Sequence, residues 1–149
     1  MLTVEVRIDG LVETRSILKR VERVINDMKP ALTSAGKYLL QVFSVEAFES
    51  EGAIYGRRWP TLNPAYSLWK SQNYPGRGIL ERTGELRRGF RLTIGANFAQ
   101  IRNNVSRGRF HQAGRGVPQR IIVALEKRQR DGVQQRIQKD VLDRLRAAA

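Results

Sequence analysis

The first ten residues alternate between apolar and polar. Leu2, Val4, Val6 and Ile8 share one side, Thr3, Glu5, Arg7 and Asp9 the other, and Gly10 ends the run. A period of two over this length predicts a strand buried on one face. From Leu11 the spacing changes: Ile17, Leu18, Val21, Val24, Ile25 and Met28 fall three and four apart, which marks a helix with one apolar stripe. Pro30 lacks an N–H and its ring crowds the preceding turn, so it cannot continue that helix comfortably, but it suits the first turn of a new one. A second stripe follows in Leu32, Ala35, Leu39, Phe43 and Ala47. A single long helix kinked at Pro30 is the alternative.

Periodicity fails between Ser50 and about Arg82. Gly52, Gly56, Pro60, Pro64, Pro75, Gly76 and Gly78 break up this stretch, and Trp59, Tyr66, Trp69 and Tyr74 decorate it. Asn63 before Pro64 resembles a helix cap and first position, so Ala65–Lys70 reads as a short helix. A loop this long inside a compact domain is commonly functional. Thr83 is placed to cap a brief turn through Leu86. Phe90, Leu92 and Ile94 then alternate, as do Ala99, Ile101 and Asn103 beyond the turn Gly95-Ala96-Asn97, which predicts a hairpin. Val105–Gly116 reads as a basic, glycine-rich loop, and Pro118 precedes another expected strand, Ile121–Leu125. Val133, Ile137, Val141 and Leu145 recur every four residues, giving a terminal amphipathic helix. The order implies an α+β fold, an antiparallel or mixed sheet packed with an N-terminal helical pair and a C-terminal amphipathic helix. At 149 residues the chain suits a single domain over 1–149.

Charge changes the picture more than composition does. The chain has 27 Lys and Arg against 14 Asp and Glu, a formal +13. Between Arg57 and Arg120 stand thirteen basic residues and two acids, Glu81 and Glu85, a net of +11. Twelve of the thirteen are arginine, whose planar fork suits lasting contacts with phosphates or carboxylates. The field such a segment creates calls for phosphates or acidic protein surfaces. Cysteine is absent, which excludes disulfides, thiol catalysis and thiolate metal sites and agrees with assembly in a cytoplasm. No apolar run approaches the ~20 residues that cross a bilayer, and no secretory pattern opens the chain, so no membrane partner is expected.

Catalytic chemistry finds little to work with. The one histidine, His111, has Ser106 as its nearest serine, and that serine sits in no recognisable nucleophile turn. Glu81 and Glu85 are too few for a hydrolytic metal site. Pro75-Gly76-Arg77-Gly78 lacks the Lys-Ser/Thr ending of a phosphate loop. No enzyme activity and no cofactor are therefore expected. Glu46, Glu49 and Glu51 form either a polar face or an acidic patch that receives a neighbour's arginine-rich segment. Arginines interleaved with Trp59, Tyr66, Trp69 and Phe110 also fit a second class of function, a small basic DNA-binding accessory protein.

Three blocks in order carry a family resemblance. Phe48-Glu49-Ser50-Glu51-Gly52 leads to Trp59-Pro60-Thr61-Leu62, with Lys70 downstream; Ile79-Leu80-Glu81-Arg82-Thr83-Gly84-Glu85-Leu86-Arg87 follows; then Phe110-His111-Gln112-Ala113-Gly114 and Val117-Pro118-Gln119-Arg120. From about Phe43 to Leu125 the chain resembles the phage virion morphogenesis family, which includes tail-completion proteins of Mu-like and P2-like phages. It departs from the family where Arg120 leads into Ile121-Ile122-Val123 instead of Pro and Phe.

The resemblance implies a structural virion protein of a tailed phage, part of the head–tail connection (neck) or of a tail-completion ring. It further implies a homo-oligomer, hexameric by the symmetry of the tail, with neck, connector or tail-tube proteins as neighbours and packaged DNA as a further contact. The virion, in its neck or tail, is the expected location. The residues placed at the interface are Arg87, Arg88, Arg107, Arg109, His111, Arg115, Pro118 and Arg120. Trp59 and Leu62 are expected to pin the long loop onto the sheet, and Thr83, Gly84 and Leu86 to form the cap and short helix beside it.

Overall fold

A computed structural model of the protein describes residues 11–147, with side chains from Glu13 onward. The strand expected over Leu2–Ile8 lies outside the described residues. Helix α1 (Leu11–Asn26) and helix α2 (Lys29–Gln41) are separate, with Pro30 in the first turn of α2. Inside one continuous helix its ring would crowd the Asn26 carbonyl and offer it no donor, so Pro30 divides the two.

From α2 the backbone runs through a π-helical turn, Val42–Glu46, into α3 (Ala47–Glu49). The wide turn moves the buried stripe by one position. Val42 and Phe43 are both buried, followed by Ala47 and Phe48, whereas Leu39 is only half-buried. Its main chain also recruits other donors: the Ser44 hydroxyl donates to the Leu40 carbonyl at 2.6 Å, and Arg87 Nε donates to the Ser44 carbonyl at 3.0 Å.

Beyond a 3-10 turn at Ala53–Tyr55 come α4 (Pro64–Asn73), α5 (Glu85–Arg88), β1 (Phe90–Ile94), β2 (Ala99–Asn103), α6 (Ser106–Ala113) and α7 (Lys127–Ala147). The hairpin forms where alternation predicted it. β1 and β2 pair antiparallel from Phe90↔Asn103 to Ile94↔Ala99, and the Gly95 N–H closes the turn on the Phe98 carbonyl at 2.8 Å. Gly36 of α2 leaves the room that Leu92 and Ile94 fill. α7 runs back along α2. Gly132 sits against the Tyr38 ring, Arg136 stacks over that ring at 3.9 Å, and Arg144 reaches Asp27 at 3.7 Å.

Two expectations are corrected. Ile121–Leu125 is not a strand, because side chains supply the partners a ladder would have given. Gln112 Oε1 accepts the N–H groups of Ile122 and Val123 at 2.7 and 3.0 Å, and its Nε2 donates to the Val123 carbonyl at 2.8 Å. Trp59 Nε1 donates to the Ile121 carbonyl at 2.7 Å and the Tyr55 hydroxyl to that of Ile122 at 2.9 Å. The stretch read as a loop, Val105–Gly116, contains α6, which Gly114 ends at a φ of +68°. None of its residues is fully buried, so it shows no apolar stripe.

The core gathers Val42, Phe43, Phe48, Trp59, Leu86, Phe90 and Ile122. Trp59 holds the long loop within this core, which Phe90 of β1 shares. It meets Phe48 of α3 edge-on, with ring centroids 5.5 Å apart, and ties the loop to the Ile121 segment. Gly52 makes this possible: its φ is +83°, and a Cβ there would stand 2.5 Å from the indole.

Candidate functional site

The three sequence blocks, far apart along the chain, converge on one cleft of about 450 Å³. The first contributes Leu62 and Lys70, the second Thr83 and Leu86, and the third His111, Pro118 and Arg120, with Arg107 from just before it. α4 orients the first. The Asn63 side chain accepts the Ala65 N–H at 3.0 Å, as a cap should, and Pro64 opens the helix. That start turns Lys70 inward, where it is 4% exposed and its Nζ donates to the Gly78 carbonyl. Burial lowers the Lys70 pKa from its ordinary value, while Glu81 and Glu51 act in the opposite direction. Tyr66, which also lines the cleft, stacks on Trp69 with centroids 5.6 Å apart.

Arg120 forms the wall opposite. It too is 4% exposed, and its guanidinium donates to the Pro60 carbonyl through Nε and Nη2 and to the Thr61 carbonyl at 3.3 Å. Burial lowers its pKa, yet arginine stays charged because its intrinsic value is so high. His111 is half-buried beside it, with Nδ1 buried and meeting no hydrogen-bond partner among the described residues. Burial pushes the imidazole pKa down, Arg120 and Arg107 push it further, and the Pro118 carbonyl acts the other way. Burial and the two arginines both favour the uncharged ring.

Thr83 does not cap α5. No side-chain bond caps that helix; Gly84 precedes it at a φ of +73°. The Thr83 hydroxyl instead accepts from Arg107 Nη2 at 3.2 Å, and the same guanidinium pairs with Glu85.

The residues placed at an interface therefore separate into three groups. Arg107, His111 and Pro118 line the cleft. Arg88, Arg109 and Arg115 are exposed outside it, Arg109 lying 5.0 Å over the Phe110 ring. Arg87 and Arg120 are drawn into the fold. Arg87 joins the π-helical turn to Glu49 and Glu81, each at 2.9 Å, and those carboxylates hold its pKa above the ordinary value. The acidic group is engaged within the chain as well. Glu49 pairs with Arg87, Glu46 with Arg128 at 3.4 Å, and Glu51 accepts the Ile79 N–H at 3.4 Å.

The cleft offers cations, a hydroxyl and an imidazole, a set that suits holding an anionic or carbonyl-bearing group of another chain. Among the described residues no three His, Asp or Glu side chains gather as metal ligands, and no helix is long and apolar enough to cross a membrane. Sequence reasoning missed Lys70 and Gln112 as positioned groups. Their only signal was a place beside the motif residues, Lys70 eight positions beyond Leu62 and Gln112 next to His111.

Searches among curated proteins and among solved structures each found no match. A scan against protein-family models matches residues 10–148, nearly the whole chain, to the phage virion morphogenesis family. The blocks that build the cleft lie within that match, and the chain belongs to the phage virion morphogenesis family, as a phage virion-assembly protein.

Proposed function

We propose that this protein is a non-enzymatic subunit of the phage neck or tail-completion assembly, closing into a homo-oligomeric ring beside connector or tail-tube proteins. One observation carries the reading: α1 leaves half of its apolar stripe uncovered. Ile17, Leu18 and Ile25 are 52%, 62% and 60% exposed, and every side chain from Glu13 to Lys19 is exposed. Val24 is buried, and Val21 and Met28 are half-buried. An amphipathic helix with an open apolar face marks an interaction surface.

A second uncovered surface complements it. Leu39, Leu125, Val133 and Ile137 line an apolar groove of about 370 Å³ beside α7. A ridge and a groove on different parts of one chain support head-to-tail contact, and such contacts close into rings when the rotation allows. Six copies would match the symmetry that the family's setting implies. The cleft and the arginines around it then face neighbouring proteins of the virion.

The test is the mass of the purified chain under native conditions and of the complex it forms in tail extracts. A discrete multiple of the 17.0 kDa chain is expected. A species that stays a single chain at every concentration, in the presence of tails, ends the ring reading.

A further inference from the structure

The hairpin carries a charge arrangement that neither the cleft nor the apolar surfaces use. In its register Arg91 stands directly opposite Arg102, and Thr93 opposite Gln100. All four are exposed, while Phe90, Leu92 and Ile101 on the other face are buried or half-buried. Like charges directly opposed across a ladder destabilise it. Among the described residues no acid relieves this pair. Arg91 Nη1 donates to the carbonyls of Arg88 and Phe90, and among the described residues no carboxylate pairs with either guanidinium. The two acids of the basic segment, Glu81 and Glu85, are already held by Arg87 and Arg107. The described part of the chain therefore leaves the pair open to an external counter-charge.

We propose that the outward face of β1 and β2, centred on Arg91 and Arg102 with Thr93 and Gln100 beside them, binds the phosphate backbone of duplex DNA. Arg, Thr and Gln are the side chains that donate to phosphate oxygens. The paired positions of this face are all polar, and the exposed Phe98 ring lies at its edge, against Gly95 in the turn, whereas a protein interface would place an apolar anchor at its centre. No aromatic residue occupies the paired positions, and binding of unpaired bases depends on such rings. The contact is with charge and shape, without sequence preference, and suits a subunit that lies along DNA in an assembled virion. It does not depend on ring closure: a single chain would bind through this face, and a ring lacking it would still assemble.

The full chain is titrated with a short mixed-sequence duplex at several salt concentrations. The double variant R91Q/R102Q is expected to bind about tenfold more weakly and to lower the slope of affinity against salt by about 2. R57Q/R58Q removes the same charge from another exposed site and is expected to have less than half that effect. Equal losses from the two variants would show diffuse attraction and overturn the proposal, as would wild-type chain that fails to bind duplex at low salt. Tighter binding to single-stranded DNA or to polyglutamate, with the same loss in R91Q/R102Q, would reassign the face to unpaired strands or acidic protein. Melting of R102Q separates binding from folding: an unchanged or higher midpoint is expected once the opposed charge is gone, and a fall of several degrees would make Arg102 a structural residue.

Discussion

Arg120 holds the carbonyl of Pro60 with two donors of one guanidinium, Nε at 3.1 Å and Nη2 at 2.9 Å. Sixty positions separate the two residues, so this fork closes the long middle segment onto the end of the third block. Arg120→Ala should therefore destabilise the fold by about 2–3 kcal/mol, since a charged donor and its packing are both lost. Arg120→Lys should recover less than half, because an ammonium cannot reproduce the fork. Urea denaturation measures both; an Arg120→Ala midpoint equal to wild type would show that the fork contributes nothing.

Gln112 substitutes for a neighbouring strand, accepting two N–H groups and donating to one carbonyl of the Ile121–Leu125 segment. Gln112→Ala leaves those groups without their partner and should cost about 2 kcal/mol. Hydrogen exchange at Ile122 and Val123 should quicken ahead of global unfolding. Unchanged protection at both amides would argue against this role.

Gly132 lies within α7, where alanine would ordinarily strengthen a helix by about 1 kcal/mol. A Cβ there would stand 2.4 Å from the Tyr38 hydroxyl oxygen. Gly132→Ala should consequently lower stability by about 1–3 kcal/mol, the range for overpacking a contact. A gain in melting temperature would mean that α2 and α7 part easily.

His111 has a folded-state pKa below its ordinary 6.5. Between the two values the unfolded chain binds the proton and the folded chain does not. Stability from the neutral ring is thus complete above about 6.5 and is lost as pH falls through the folded pKa. In His111→Gln this part of the acid sensitivity should vanish. Identical pH profiles for the two proteins would count against the assignment.

For α1 the readout is assembly. Leu18→Asp combined with Ile25→Asp charges the open stripe and should reduce the native mass to that of one chain. Helical content and the urea midpoint should hardly change, because both side chains are more than half exposed. Rings that persist with both aspartates would move the subunit contact to another surface.

Much of the fold was legible in periodicity. The stripe of α1, the restart at Pro30, the alternation of β1 and β2 and the four-residue steps of α7 are local patterns, and each became the element it predicts. α6 was not legible, because a helix with no buried side and with Gly108 in its middle has no stripe to read. The five apolar residues Ile121–Leu125 look like a strand in isolation. Whether they pair depends on Gln112, Tyr55 and Trp59, and no spacing announces those partners.

The candidate site divides in the same way. Its three blocks could be read in order along the chain, and so could the excess of arginine between Arg57 and Arg120. Which arginines face solvent could not. Arg87 and Arg120 serve the fold, while Arg91 and Arg102 stand opposed on an open sheet face. Periodicity is a property of neighbours in sequence, so the amino-acid order alone determines the striped helices, the hairpin and the net charge. Burial, pairing and strand register arise between residues tens of positions apart, and only packing in three dimensions brings those together.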